Sequence, residues 1–438
     1  MQRIALIGML LAAFSFVHAQ EKKTFMTFDS LTYAQYMAGE WRSLAETGRE
    51  ALRSGYDTYY LRVRVGIAYF KKKDYVKSIF QFRKALTFNA TDPVALEYLY
   101  YAYQYLGREE DARALSRQFS PELLYKLRIH HPSKVQGIWA DFTWSGNNSK
   151  TYQPPAELTV GGQTLPLQFS LFDVGFQHRL GKSNSLLQQY SYLSKTDFLY
   201  SYDGTEEIST ERTLNEHQYT LSGLFHLARG LNLHATLHPI LILLPQPSSL
   251  GNGNRSSGAP VFESLDGVAS LGIYLNAWKL RFGAAASYSY LSGLYQFQQD
   301  YSLSFFPLGN LNFYTETHFI DQLEYGSPGI RYVSYAGSQL AGLKLLHNLW
   351  IEAEGMAGNL SRYNLYDGTV VYNGNERLQS RFTGRLIIPF AKYRGQFRLM
   401  YSYENSKSYF FDGKTLINSI HTVGFSSQTI TGGLIWKF

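Results

Sequence analysis

Cysteine is absent from the 438 residues of the chain. That absence excludes disulfides, thiolate metal sites, a cysteine nucleophile and a lipidated N-terminal cysteine. Beyond the N-terminal leader there is also no run of about 20 apolar residues, which excludes a helical membrane span. A span built of strands stays open. Strong charge of one sign is missing as well: the formal net charge is +7, and about +5 of it falls between Glu21 and His130. What is present is aromatic and apolar material, with 35 Tyr, 37 Gly and 45% apolar residues. Mean hydropathy is nevertheless only -0.23, so the apolar residues are diluted at short intervals, as in amphipathic strands.

The leader "MQRIALIGMLLAAFSFVHAQ" has Arg3, an apolar run from Ile4 to Val17, and Val17-His18-Ala19 before Gln20. It reads as a secretory signal cleaved after Ala19 (residues 1–19), which sends the mature chain out of the cytoplasm. Secretion in turn disfavours nucleic acid as a partner of the basic N-terminal region.

From Leu31 to His130 apolar residues recur at three- and four-residue spacing, with Pro and Gly nearly absent inside the runs. The pattern repeats. Gly39, Lys73 and Gly107 stand 34 apart, as do Trp41, Tyr75 and Glu109, and Leu44, Ser78 and Ala112; Ala51 and Ala85 show the same step. A 34-residue helix-turn-helix period with small residues at the helix crossing resembles the tetratricopeptide repeat. Two positions depart from that pattern: Ser78 stands where the family prefers Ala, and Gly48 replaces a large apolar residue. The resemblance implies about two and a half stacked units and a groove that binds a peptide or protein, or else a rigid spacer. Lys71, Lys72 and Lys73 fall in a turn and read as a solvated charge run.

After His130 the period changes from about 3.6 to 2, which places the domain boundary at 130/131. In "KYRGQFRLMYSYE", Tyr393, Gly395, Phe397, Leu399, Tyr401 and Tyr403 oppose Arg394, Gln396, Arg398, Met400, Ser402 and Glu404. In "RLQSRFTGRLIIPF", Leu378, Phe382, Leu386, Ile388 and Phe390 oppose Arg377, Gln379, Arg381 and Arg385. About fourteen strands of roughly 10 to 13 residues are expected, long enough to cross a bilayer at a tilt. The connections after even strands ("LGKSN", "ARG", "NAWK", "PLGN", "LHN", "FAKY") are short. Those after odd strands are mostly long, including "SGNNSKTYQPPAELTVGGQT", "LPQPSSLGNGNRSSGAP" and Asn405 to Ser426. Such parity predicts an even-stranded barrel with short turns toward the periplasm. In the terminal stretch "TITGGLIWKF", Ile430, Leu434, Trp436 and Phe438 are expected to face lipid. This resembles the outer-membrane β-barrel class of Gram-negative bacteria. The resemblance implies that Trp436 and the terminal Phe438 form the signal read by the barrel-assembly machinery.

If apolar faces meet lipid, the opposite faces line a lumen. Arg377, Arg381 and Arg385 then share an inner row, with Arg398 opposite Arg385 and Arg394 closer to the periplasm. Glu352, Glu354, Glu316, His318 and Lys344 are also expected inside. Such a basic wall either attracts an anionic solute or pairs with Glu352, Glu354 and Glu404 and fills the barrel. No nucleophile-elbow pattern and no paired metal-ligand spacing is present. His234 and His238, on one strand face with no carboxylate in view, read as packing residues.

The expectation is a short helical TPR-like domain (residues 20–130) in the periplasm, followed by an antiparallel transmembrane β-barrel (131–438) in the outer membrane, without cofactor or metal. In function it reads as a non-enzymatic subunit of an outer-membrane assembly or transport machine, recruiting a periplasmic or outer-membrane protein through residues 31–130. The alternative is an anion-preferring porin or exopolysaccharide export channel. A membrane-embedded lipid-modifying enzyme stands third.

Overall fold

The computed structural model describes residues 23–129, 133–147, 160–244, 261–326, 331–409 and 422–438. The expected secretory signal and most of the long loops after the first, fifth and last odd strands lie outside the described residues. The chain forms two compact units, Met1–Leu99 and Tyr100–Phe438. The change from helix to strand falls later, between Lys126 and Val135.

The helical stretch holds seven α-helices among the described residues: α1 (Phe25–Met37), α2 (Trp41–Arg53), α3 (Tyr59–Lys71), α4 (Tyr75–Ala85), α5 (Pro93–Tyr105), α6 (Glu109–Leu115) and α7 (Pro121–Lys126). The first residues of α1, α3 and α5 are 34 apart, and so are those of α2, α4 and α6. The local chemistry repeats with them. Thr24 and Thr58 each accept a hydrogen bond from the backbone N–H three residues on, and Asp92 accepts one from Ala95 at 2.6 Å. Each satisfies a donor that a helix start leaves unpaired. Gly39, Lys73 and Gly107 end the first helix of each pair with φ of 70°, 60° and 72°, the left-handed position that stops a helix.

The first unit is built on Leu44, Ala45, Ala51, Leu61, Val65 and Ala68, all buried. Gly48 and Ser78 find their reasons here. A Cβ on Gly48 would lie 2.2 Å from the Val65 side chain, so glycine lets α2 approach α3. Ser78 donates to the Gly66 carbonyl at 3.0 Å, a bond alanine could not make, where α4 crosses α3.

In the second unit fourteen strands close into one antiparallel barrel: β1 (Val135–Asn147), β2 (Gly161–Leu180), β3 (Asn184–Tyr202), β4 (Glu207–Ala228), β5 (Leu231–Leu244), β6 (Val261–Ala277), β7 (Leu280–Leu291), β8 (Leu294–Phe305), β9 (Phe313–Tyr325), β10 (Arg331–Leu346), β11 (Leu349–Gly358), β14 (Arg377–Phe390), β15 (Gly395–Tyr409) and β16 (Thr422–Lys437). Closure is by β16 on β1, with Leu434 opposite Ala140 and Thr431 opposite Thr143. Phe142, Phe172, Val174, Phe319, Phe382 and Leu434 are exposed on the outer surface, the apolar belt a membrane-spanning barrel presents to lipid.

Two expectations are corrected. Strand lengths run from 10 to 22 residues, and β2, β3 and β4 are far longer than the 9–11 residues that cross the hydrocarbon layer. Parity of the connections is incomplete, because β3–β4 is joined by residues 203–206 and β7–β8 by Ser292 and Gly293 alone. In the first of these Asp203 accepts three hydrogen bonds from Thr205 and Glu206. They hold its carboxyl at about 2, well below the usual Asp range.

The remaining strands, β12 (Tyr363–Leu365) and β13 (Val370–Tyr372), form a separate hairpin. It belongs to the connection between β11 and β14.

Candidate functional site

The connection 359–376 does not stand outside the barrel. Its side chains pair with inward-facing residues of at least six strands, so the segment is folded into the lumen. Arg362 donates to both oxygens of Glu324 on β9, at 2.9 and 2.7 Å. Asn364 donates to Ser287 on β7, and its carbonyl accepts from Gln298 on β8. Asn373 reaches Asp266 on β6. At the tip Tyr366, Asp367 and Gly368 all have left-handed φ, of 52°, 57° and 81°. Asp367 accepts from Tyr274 at 2.5 Å and from His234 Nδ1 at 2.8 Å, and His238 donates to the Gly368 carbonyl.

Apolar contacts complete the plug. Leu360 and Tyr363 bury against Ile320, Ala336, Met356 and Leu378, and Val371 packs on Ile240, Ile242, Val268 and Leu291. These wall residues point inward, against the polar-inside pattern. They do so because the loop, not water, is their neighbour.

The same loop meets the basic residues of β14. Arg381 donates to Glu404 at 2.7 to 2.8 Å, to the Tyr372 hydroxyl at 3.0 Å and to the Tyr363 hydroxyl. Arg385 donates to Glu354 at 2.5 Å, to Glu352 at 3.5 Å and to the Tyr366 hydroxyl at 3.0 Å. Arg398 reaches past these to Asp141 on β1, with Nη2 at 2.7 and 3.0 Å from the two carboxylate oxygens.

Arg377 and Arg394 lie elsewhere. The β14–β15 register slips between Leu378 and Ser380, and this bulge exchanges the two faces of the strand. Leu378 is thereby buried inside. Arg377 pairs in register with exposed Lys407 and lies 5.1 Å over the Tyr409 ring. Arg394 is exposed in the turn after Ala391–Tyr393. The inner basic row therefore holds Arg381, Arg385 and Arg398.

On the neighbouring wall His318 lies between Asp300 at 2.8 Å and Glu316 at 2.7 Å, and Lys344 stands 4.1 Å over the Trp350 ring. Among the described residues no group of three or more His, Cys, Asp or Glu is placed to hold a metal ion.

Between the plug and strands β1–β4, β11 and β14–β16 remains a cavity of about 600 Å³. Its charged lining comprises Asp141, Asp173, Glu216, Glu352, Glu376 and Glu404 against Lys195, Arg381, Arg385 and Arg398. Phe169, Leu171, Leu193, Val370, Val371 and Phe425 supply an apolar portion.

The short-turn end of this unit is met by α6 and its flanks. Asp111 accepts from the Gly230 N–H at 2.9 Å, in the β4–β5 turn. Glu109 pairs with Lys437 at 2.9 Å, and Arg117 donates to Ser183 in the β2–β3 turn. Beside Lys437, the Trp436 ring lies 6.1 Å from that of Phe390, while Phe438 is exposed and its N–H donates to the Gln136 carbonyl.

Sequence reasoning missed the plug and, with it, the carboxylate partner of His234, because Asp367 is 133 residues away. One signal was present. The run "HPILILL" carries Ile240 and Ile242 on the face that alternation assigns to the lumen.

No family model matches the chain, and no curated protein matches it. Among solved structures it is similar to the P. putida toluene transporter TodX, with 10% identity and a TM-score of 0.43 over 73% of this chain and 92% of that one. It is similar also to a bacterial polysaccharide outer membrane secretin (9% identity, TM-score 0.38, 70% of this chain and 99% of that one). The third is the translocator domain of the autotransporter NalP from Neisseria meningitidis (12%, 0.33, 77% and 100%). At these scores none of the three carries an argument about function.

Proposed function

We propose that this chain is an outer-membrane barrel, plugged by its own loop, whose periplasmic helical unit recruits a protein partner, making it a subunit of an outer-membrane assembly or transport machine. One observation carries the docking role. Met26, Tyr60 and Val94 hold the same position in three successive helix pairs, 34 residues apart, and are 72%, 67% and 42% exposed. Single exposed apolar side chains are ordinary on a surface, but an apolar residue repeated at one position of a stacked array forms a ridge that water alone does not favour. The recurrence of caps and helix starts at the same step supports a tetratricopeptide-type array.

The barrel supports this orientation. Short turns face the periplasm in outer-membrane barrels, and Asp111 on α6 and Arg117 just after it meet two of those turns, which supports a periplasmic place for α6 and its flanks. Against the anion-channel alternative stand the occupied lumen and the three arginines of the inner row, each already bonded to a carboxylate. A small-solute conduit is the second reading, favoured by the 600 Å³ cavity left beside the plug.

The test is cross-linking in the native envelope followed by purification of the full chain, with Met26→Asp/Tyr60→Asp as the variant. Docking predicts a stoichiometric partner that the variant loses while heat-modifiable migration of the barrel is unchanged. A partner held equally by the variant refutes the ridge. Isolated monomers that conduct favour the conduit.

A further inference from the structure

The cations of the inner row are each matched, Arg381 by Glu404 at 2.7 Å, Arg385 by Glu354 at 2.5 Å and Arg398 by Asp141 at 2.7 Å. Two cations on the outer face of the same strands are not. Arg377 of β14 and Lys407 of β15 stand directly opposite each other in register, and among the described residues neither has a carboxylate partner. Like charges set opposite one another across a strand pair destabilise it. The bulge between Leu378 and Ser380 creates this arrangement, because unbroken alternation would leave Arg377 on the inner row and set Lys407 opposite Leu378. The ring of Tyr409, the next outward position on β15, lies 5.1 Å from the Arg377 guanidinium.

The depth of the pair follows from the strand that carries it. From the short-turn end, the outward face of β15 runs Phe397, Leu399, Tyr401, Tyr403, Asn405 and Lys407. The first four are exposed apolar or aromatic side chains, and Phe382 of β14 stands beside Tyr403 in the same belt. Lys407 is ten positions beyond Phe397, and a tilted strand crosses the hydrocarbon layer in about 9–11 residues. Arg377 and Lys407 therefore lie where the apolar belt ends, at the level of lipid headgroups. They are at the end away from the short β14–β15 turn, and since short turns face the periplasm, that level belongs to the outer leaflet.

A headgroup phosphate accepts charge-assisted hydrogen bonds from both cations and removes their mutual repulsion, while its acyl chains lie along Phe397 to Tyr403. A soluble anion has only the first of these contacts. We infer that Arg377 and Lys407 form a binding site for the phosphate of an outer-leaflet lipid, whose acyl chains run down the outward face of β14 and β15. This goes beyond partner recruitment and rests only on the outer-membrane place of the barrel.

The full chain is purified in detergent, and native mass spectrometry counts the lipid retained as bisphosphorylated lipid A is titrated in, with dephosphorylated lipid A and inorganic phosphate as comparisons. The phosphorylated lipid should be retained saturably and the dephosphorylated form at least about tenfold more weakly. Arg377→Gln/Lys407→Gln should lose about tenfold in affinity for the phosphorylated lipid and little for the dephosphorylated one. Arg331→Gln removes a cation that lies over the Tyr325 ring, away from this pair on β10, and should leave retention unchanged. Equal retention of the two lipids, a folded double variant with unchanged affinity, or an equal loss in Arg331→Gln would each overturn the assignment. Inorganic phosphate that displaces the lipid at equimolar concentration would overturn the lipid as the ligand. Should the double variant fail to show heat-modifiable migration, Lys407→Gln alone decides: weaker retention supports the site and equal retention refutes it.

Discussion

Gly433 sits on β16 between Asp141 of β1 and Arg398 of β15, in register with both. The Arg398–Asp141 ion pair passes directly over it. A Cβ built on Gly433 would lie 1.5 Å from Asp141 Oδ1 and 2.7 Å from its Cγ, so alanine at 433 must swing the carboxylate off the guanidinium. The Arg398 side chain is 39% exposed and that of Asp141 15%, and solvent screening therefore limits the loss. A half-exposed, doubly bonded pair is worth about 1–2 kcal/mol. Replacing glycine by alanine in a strand returns roughly 0.5–1 kcal/mol. Gly433→Ala should thus destabilise the barrel by about 1 kcal/mol net, whereas in an Asp141→Ala background the same change should be neutral or stabilising. The assay is urea unfolding of the barrel in lipid vesicles, as a double-mutant cycle. Equal cost in both backgrounds would refute the ion-pair account and mean that glycine is needed for backbone reasons alone.

Replacing residues 362–374 by a short Gly-Ser linker should convert a barrel of low conductance in planar bilayers into one with discrete openings, since it removes both the Arg362–Glu324 pair and the Asp367 latch. Conductance equal to the parent would show that the loop does not occlude the path. In the helical unit, hydrogen bonds from Arg62 at 2.7 Å hold the Asp57 carboxyl below its ordinary value of 3.8, with burial opposing them. A lowered folded pKa gives stability that is fully present above the unfolded value and lost as pH falls through the folded one. Asp57→Asn should therefore weaken the helical unit near neutral pH by less than about 1 kcal/mol, the side chain being 43% exposed. The difference should vanish in acid. Far-ultraviolet circular dichroism against temperature checks it, and an effect that grows on acidification would reverse the sign.

The elements of this fold were legible because each rests on local chemistry. The alternation of apolar residues in "RLQSRFTGRLIIPF" and "KYRGQFRLMYSYE" marks two of the barrel strands, Arg377–Phe390 and Gly395–Tyr409. The 34-residue step between Gly39, Lys73 and Gly107 marks three helix ends that share one left-handed conformation. Lys73 shows why conformation and not composition is the invariant: it takes φ of 60° without glycine's freedom. The plug was not legible, since its contacts join residues such as Asn364 and Ser287, 77 positions apart, and no local pattern encodes them. Its only trace is the misplaced apolar face of Ile240 and Ile242.

The arginines show how a local rule fails by a single residue. Spacing of four places Arg377, Arg381 and Arg385 on one face only while the strand stays regular, and the irregularity near Gln379 ends that regularity after the first of them. A one-residue slip inverts every side chain beyond it, so Leu378 goes in and Arg377 goes out. Of the three that remain inside, two are bonded to loop tyrosines as well as to carboxylates, which makes them anchors for the plug rather than free charge. Neither guanidinium is then a free charge in the cavity, and a count of basic residues overstates the pull on an anion there. An arginine bonded both to a carboxylate and to the loop that fills the lumen sets the position of that loop before it sets any preference for ions.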